Sequence, residues 1–140
     1  MIREYSAGGV VVRGFDGRPF VAVIHVRKGV LALPKGHPDG DESMAEAARR
    51  EVREEAGVEA EAVEPLGDVR YWYSRDGERV MKVVSFFLFR YRAGRLGDIP
   101  PAHAHEVAET RWLPLEEAPG LLAYKGEREM AAKALERLSP

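Results

Sequence analysis

Glu51, Glu54 and Glu55 lie within five residues of one another in a segment that reads as a helix. Positions three and four apart are neighbours on a helix surface, so the three carboxylates crowd onto one face. Like charges set that way repel unless a cation compensates. Hard divalent ions such as Mg²⁺ or Mn²⁺ prefer oxygen ligands of this kind. A plainer reading is a solvated helix in which Arg49, Arg50 and Arg53 neutralise the glutamates. Charge pattern alone leaves both readings open.

The residues before the helix add a fixed spacing. Gly36 is followed after five residues by Glu42, then after seven more by Arg50-Glu51-Val52, then by Glu54-Glu55, Gly57 and Val58. A glycine at position 36 lets the backbone turn tightly and present its carbonyl to a metal, which a side chain could obstruct. The pattern resembles the signature of the Nudix hydrolase family, G-x5-E-x7-R-E-U-x-E-E-x-G-U with U a bulky aliphatic residue. It spans residues 36–58 with every specified position matched.

That resemblance implies Mg²⁺-dependent hydrolysis of a phosphoanhydride bond, with Mn²⁺ able to substitute. It implies Glu51 and Glu55 as the main metal ligands beside the Gly36 carbonyl. Glu54 either joins a second ion or receives a proton, and Glu42 and Arg50 pair to pin the loop onto the helix. A base must take the proton of the attacking water. Glu54 is one candidate, and Glu106, in a His-Glu-Val stretch shortly before Trp112, is the other.

The spacing says little about substrate. Leu33-Pro34-Lys35-Gly36-His37 resembles the (di)nucleoside polyphosphate branch of the family, although Leu31 stands where that branch usually has tryptophan. Lys35 could meet phosphate, or simply be solvated. Tyr71 and Tyr73 alternate onto one face, so one can stack on a base while the other packs, and Tyr73 is the expected substrate contact. Lys82 is a charge within an apolar strand and is expected to face phosphates. Tyr124, in a tail similar to that branch, could close over a base. His103 and His105 lack a nearby third ligand for zinc. Dinucleoside polyphosphates lead as expected substrates, such as diadenosine polyphosphates. A nucleoside triphosphate pyrophosphatase comes second, then ADP-ribose or diphosphoinositol polyphosphate hydrolysis. The rival from another class is a silent, nucleotide-sensing module.

The elements that must position these residues are legible from periodicity. Strands are expected at Ala7–Val12 and Phe20–Val26, joined at Asp16-Gly17, and at Val69–Tyr73 and 80–91, joined at Asp76-Gly77. Residues 80–91 are apolar on both alternating faces and belong inside a sheet covered on both sides. Ser43 and Glu46 form a capping box for the box helix, and Gly57 stops it. Ala45, Ala48, Val52 and Ala56 form its expected packing stripe. A short strand at Thr110–Leu113 and a helix at Glu127–Leu138 complete a single domain over residues 1–140. The class is α/β (α+β): an α/β/α sandwich with a mixed sheet and a loop–helix catalytic motif.

Composition narrows the remaining options. The 140 residues suit one core. The 21 basic and 23 acidic side chains provide no global basic field for duplex nucleic acid. No cysteine is present, which excludes disulfides and thiolate chemistry. No secretory signal or spanning run is visible, so the expected setting is cytoplasmic, without membrane contact. The expected partner is a small nucleotide polyphosphate, and the protein is expected as a monomer or homodimer.

Overall fold

Asp16-Gly17 and Asp76-Gly77 both hold positive φ at both positions, 51° and 76° in one pair and 51° and 80° in the other. That is the tight-turn geometry whose twist matches paired strands. The computed structural model describes residues 1–26 and 29–138, and these turns close its two long hairpins. One joins β1 (Ile2–Phe15) to β2 (Arg18–His25). The other joins β5 (Glu59–Arg75) to β6 (Glu78–Ala93). Three short strands, β3 (Leu31–Ala32), β4 (Lys35–Gly36) and β7 (Glu109–Pro114), complete the sheet.

The order is β3-β2-β1-β6-β5, with β4 against β1 and β7 against β2. Strands β1 and β6 run parallel from Ile2 opposite Val80 to Val12 opposite Arg90. The other pairs are antiparallel, so the sheet is mixed.

Several strands outrun the bounds read from alternation. β1 begins at Ile2 rather than Ala7, and β5 runs from Glu59 rather than Val69. The added residues show no clean apolar–polar alternation, and it is backbone pairing to β6 that holds them extended. β5 passes Pro65 and Gly67 through register shifts, which an edge strand tolerates.

Alternation along β6 feeds two cores. Val84, Phe86 and Leu88 pack with Leu33, Met130 and Ala134 on one face. Phe89 packs with Ala7, Val52 and Ala56 on the other. The first face is covered by α2 (Ala118–Leu121) and α3 (Lys125–Leu138), the second by α1 (Met44–Ala56). The result is the expected sandwich. Among the described residues no helix is long and apolar enough to cross a membrane.

Helix α1 starts as its sequence dictates. The Ser43 side chain accepts from Glu46 N–H, Glu46 accepts from Ser43 N–H, and Gly57 ends the helix at φ 83°. Its buried stripe is Ala47, Ala48, Val52 and Ala56. Ala45, expected in that stripe, is instead partly exposed beside Glu46 and Arg49. The reason is the width of the buried face: a helix that lies flat on a sheet buries adjacent positions such as 47 and 48 together. A Cβ on Gly9 would clash with Val52 and Phe89, so the helix sits directly on the β1 backbone.

Candidate active site

The α1–β1 contact places one edge of α1 beside the β4 segment. Gly36 pairs with Ala7 and Lys35 with Gly8. Glu51 lies against Gly36 so closely that a Cβ at position 36 would fall within its carboxylate. One turn on, Glu55 accepts the backbone N–H of Lys35 at 2.9 Å. Helix geometry and a two-residue strand thus set both carboxylates against the same turn.

Arg50 braces the cluster. Its Nε donates to Glu42 at 2.9 Å, and its Nη2 donates to the His37 carbonyl at 2.7 Å. Its Nη1 donates to Glu51 at 2.7 Å and to Glu54 at 2.9 Å. The five-donor planar fork of arginine makes this possible. Arg49 and Arg53 turn away to Glu59. These two are solvated but do not neutralise the three glutamates, while Arg50, partly buried, ties loop to helix and pairs with Glu51 and Glu54.

Electrostatics remain unbalanced around the glutamates. Burial raises the Glu55 carboxyl to about 7; the Lys35 N–H opposes the shift, and the charges of Glu51 and Glu106 add to it. Burial likewise raises Glu51, with Arg50 opposing and Glu54 and Glu106 adding. Glu42 is lowered, chiefly by its bond from Arg50. Desolvated carboxylates that repel one another favour a counter-cation.

Glu106 reaches this cluster from a distant loop. It ends a 3₁₀ turn at Ala104–Glu106 and accepts from His103 Nδ1 at 3.4 Å. On the other side of the same ring, His103 Nε2 lies 3.6 Å from Glu54. The imidazole therefore stands between the two carboxylates considered as bases. Spacing in the sequence offers His103 only a zinc role, because nothing local links it to Glu54.

Among the described residues no three acidic or histidine side chains turn their donor atoms on one point as they would around an ion. Arg50 and the Lys35 N–H draw the glutamate oxygens instead. The donor set nonetheless fits a hard divalent cation. It consists of oxygens only, it is short of positive charge, and it lies over a glycine cradle that a side chain would fill. Gly36, Glu51, Glu54 and Glu55 are the residues that could hold such an ion. When bound, it would neutralise phosphate charge and acidify a water.

A cleft of about 760 Å³ opens beside the cluster, between the sheet and the start of α3. Lys35, Tyr71, Phe86, Tyr124 and Glu127 are on its walls. Lys35 Nζ lies 5.4 Å from the Tyr124 ring centre. Tyr71 and Tyr124 are 42% and 48% exposed, free to meet a flat ligand.

Two expected substrate contacts are not part of the cleft lining. Tyr73 is outside this lining and donates its hydroxyl to Glu4, a residue that Arg75 also binds. It shares a face with Tyr71, but two positions further along the strand, where β1 supplies an acceptor and the cleft has ended. Lys82 is also outside the lining, opposite Glu4 on β1 and Tyr71 on β5. Its amine is lowered by burial, with Glu4 opposing and Lys35 adding to the shift. Glu4 is the opposite charge nearest in register, and its carboxylate is already bound by Tyr73 and Arg75.

A family profile for the NUDIX domain matches residues 3–137. A Mycobacterium tuberculosis protein bearing the name mutator protein MutT4 is 40% identical over 140 residues, covering 95% of this chain and 55% of its own length. The asymmetrical bis(5'-nucleosyl)-tetraphosphatase of Mus musculus is 34% identical over 92 residues, covering 66% of this chain and 60% of its own. This chain thus matches little more than half the length of either relative. The crystal structure of a C. elegans Ap4A hydrolase binary complex superposes with TM-score 0.72 at 24% identity, covering 96% of this chain and 97% of that one. Further relatives are named for 8-oxo-(d)GTP and for RNA pyrophosphohydrolysis, so likeness shows the family and leaves the substrate open.

Proposed function

The chain belongs to the NUDIX family, and from that premise we propose that it hydrolyses a phosphoanhydride bond in (di)nucleoside polyphosphates, with diadenosine polyphosphates leading. One observation carries the reading. Lys35 belongs to both halves of the site: its backbone N–H binds Glu55, and its side chain forms part of the cleft wall. A nucleoside between Tyr71 and Tyr124 would therefore lead its phosphates past Lys35 towards the glutamates.

In this reading Gly36, Glu51, Glu54 and Glu55 hold Mg²⁺, and Lys35 meets phosphate charge. Glu54 or Glu106 takes the proton of the attacking water, and Arg50 with Glu42 keeps the loop in place. Tyr71 replaces Tyr73 as the stacking residue, because Tyr71 is the one on the cleft wall. Aromatic stacking tolerates any base, which suits a site defined by phosphates.

The competing reading is a nucleoside triphosphate pyrophosphatase. The M. tuberculosis relative, similar over nearly the whole of this chain, favours it by its mutator name. Product analysis decides. Diadenosine tetraphosphate plus water gives ATP and AMP, whereas a triphosphate plus water gives a monophosphate and pyrophosphate. Faster turnover of triphosphates than of dinucleotides would transfer the assignment to the second reading. Absence of Mg²⁺-dependent turnover on either would leave a silent nucleotide-binding module.

A further inference from the structure

The inward stripe of α3 consists of Glu127, Met130, Ala131 and Ala134. The last three are ordinary core residues. Glu127 is 3% exposed, as buried as its apolar neighbours, and charged groups rarely occupy such a position without a partner. Its two oxygens are engaged separately. Oε1 accepts the backbone N–H of Leu33 at 2.8 Å, and Oε2 lies 2.8 Å from Lys35 Nζ. Lys35 Nζ also donates to the Leu33 carbonyl at 3.3 Å, closing a small network around residues 33–35.

The same three residues present the N–H that Glu55 accepts. The Pro34 carbonyl between them accepts from Gly9 N–H at 3.1 Å, so the segment is fastened to β1 below and to α3 above. Proline at position 34 has no N–H of its own to contribute. The orientation of the Lys35 amide towards Glu55 is therefore set by its neighbours, and Glu127 holds the residues on both sides of that proline. A buried ion pair gains little net stability over an apolar pair of similar volume. Stability alone does not account for a carboxylate here.

We propose that Glu127 is a positioning residue for the carboxylate cluster, acting through Leu33 and Lys35 to aim the Lys35 amide at Glu55 and to keep the Lys35 ammonium at the cleft wall. This rests on the hydrolase reading above. Outer partners of metal-binding carboxylates typically tune metal affinity by about ten- to hundredfold. The Lys35 N–H is that partner of Glu55, and Glu127 acts on it through the Lys35 side chain and the Leu33 N–H.

The test is Mn²⁺ titration of the purified chain without nucleotide, together with thermal unfolding and steady-state rates. Glu127→Gln keeps an acceptor for Leu33 N–H but loses the charge facing Lys35. It is expected to bind Mn²⁺ about tenfold more weakly. Its kcat should fall at low metal and recover at high metal, well below its unfolding temperature. A purely structural residue would lower the unfolding temperature and leave the metal affinity of the folded protein unchanged. That outcome overturns the proposal and leaves the hydrolase reading intact. The double variant Lys35→Met, Glu127→Gln guards against a folding defect, because it removes the ion pair and keeps an acceptor for the Leu33 N–H. It should show the same loss of Mn²⁺ affinity; wild-type affinity in it would also overturn the proposal. A wild-type chain that binds no Mn²⁺ would end both readings.

Discussion

The carboxylate of Glu51 fills the space that a Cβ on Gly36 would occupy. The glycine is required here by proximity, since Gly36 is not among the residues with positive φ. Gly36→Ala therefore keeps an accessible backbone but must push Glu51 aside. Its expected effect is a loss of turnover of about a hundredfold, because a displacement near 1 Å costs that much at a reacting centre. Circular dichroism should remain that of the parent. Parent-like rates would mean that Glu51 needs no fixed place against the turn.

Arg50 ties Glu42, the His37 carbonyl, Glu51 and Glu54 together with a side chain only 17% exposed. Lysine keeps the charge and loses the fork. Arg50→Lys should lower the denaturation midpoint, since one ammonium cannot reach all the acceptors that the guanidinium serves at once. Chemical denaturation measures this directly. A change near zero would make the bonds to Arg50 incidental.

The acidity of Glu55 links metal, pH and stability. Its carboxyl titrates near 4.5 when unfolded and about 7 when folded. Between those values the folded chain holds a proton that the unfolded chain has lost. In the metal-free protein this group therefore makes stability fall as pH rises from 4.5 to 7. Glu4, Glu42, Glu46 and Glu61 are lowered by their hydrogen bonds, so their contributions are present above 4.5 and lost below it. In chelator, the unfolding temperature should peak near pH 5. Mg²⁺ or Mn²⁺ should stabilise more at pH 7.5 than at pH 5, and calorimetry at pH 6.5 should detect protons released on binding. An unfolding temperature that climbs steadily from pH 5 to 7.5 in chelator contradicts this picture.

His103 between Glu54 and Glu106 makes the two candidate bases separable. Loss of a general base costs about 10²–10⁴ in rate. If Glu106 takes the proton, Glu106→Gln should lose that much kcat and keep its Mn²⁺ affinity, whereas Glu54→Gln should lose both. If Glu106→Gln turns over at the parent rate, Glu54 is left as the base.

The two tyrosines of β5 should divide by role. Tyr71→Ala removes a stacking surface from the cleft and should raise KM by about tenfold or more, since stacking is worth about 1–3 kcal/mol per base. Tyr73→Phe removes the bond to Glu4 and should leave KM unchanged, with a small loss of stability. A KM effect at Tyr73 and none at Tyr71 would move the base to the other end of the strand.

Local pattern alone specified the parts of this molecule whose physics is local. The capping box at Ser43 and Glu46, the stop at Gly57, the Asp-Gly turns and the two-faced β6 all depend on neighbours within a few residues, and each is present. The crowding of Glu51, Glu54 and Glu55 follows from helix geometry, and so it too is legible in the sequence. Tertiary structure decided everything that requires chain segments to meet. Only the parallel pairing of β1 with β6 sets Glu4 opposite Lys82, and only the tertiary fold separates Tyr71 from Tyr73 at the cleft. His103 and Glu106 lie some fifty residues beyond Glu54, and the fold alone brings them to it. Glu127 did leave a trace, a charge in an apolar stripe. Its partners at Leu33 and Lys35 are more than ninety residues away, and spacing along a helix carries no information about what lies opposite.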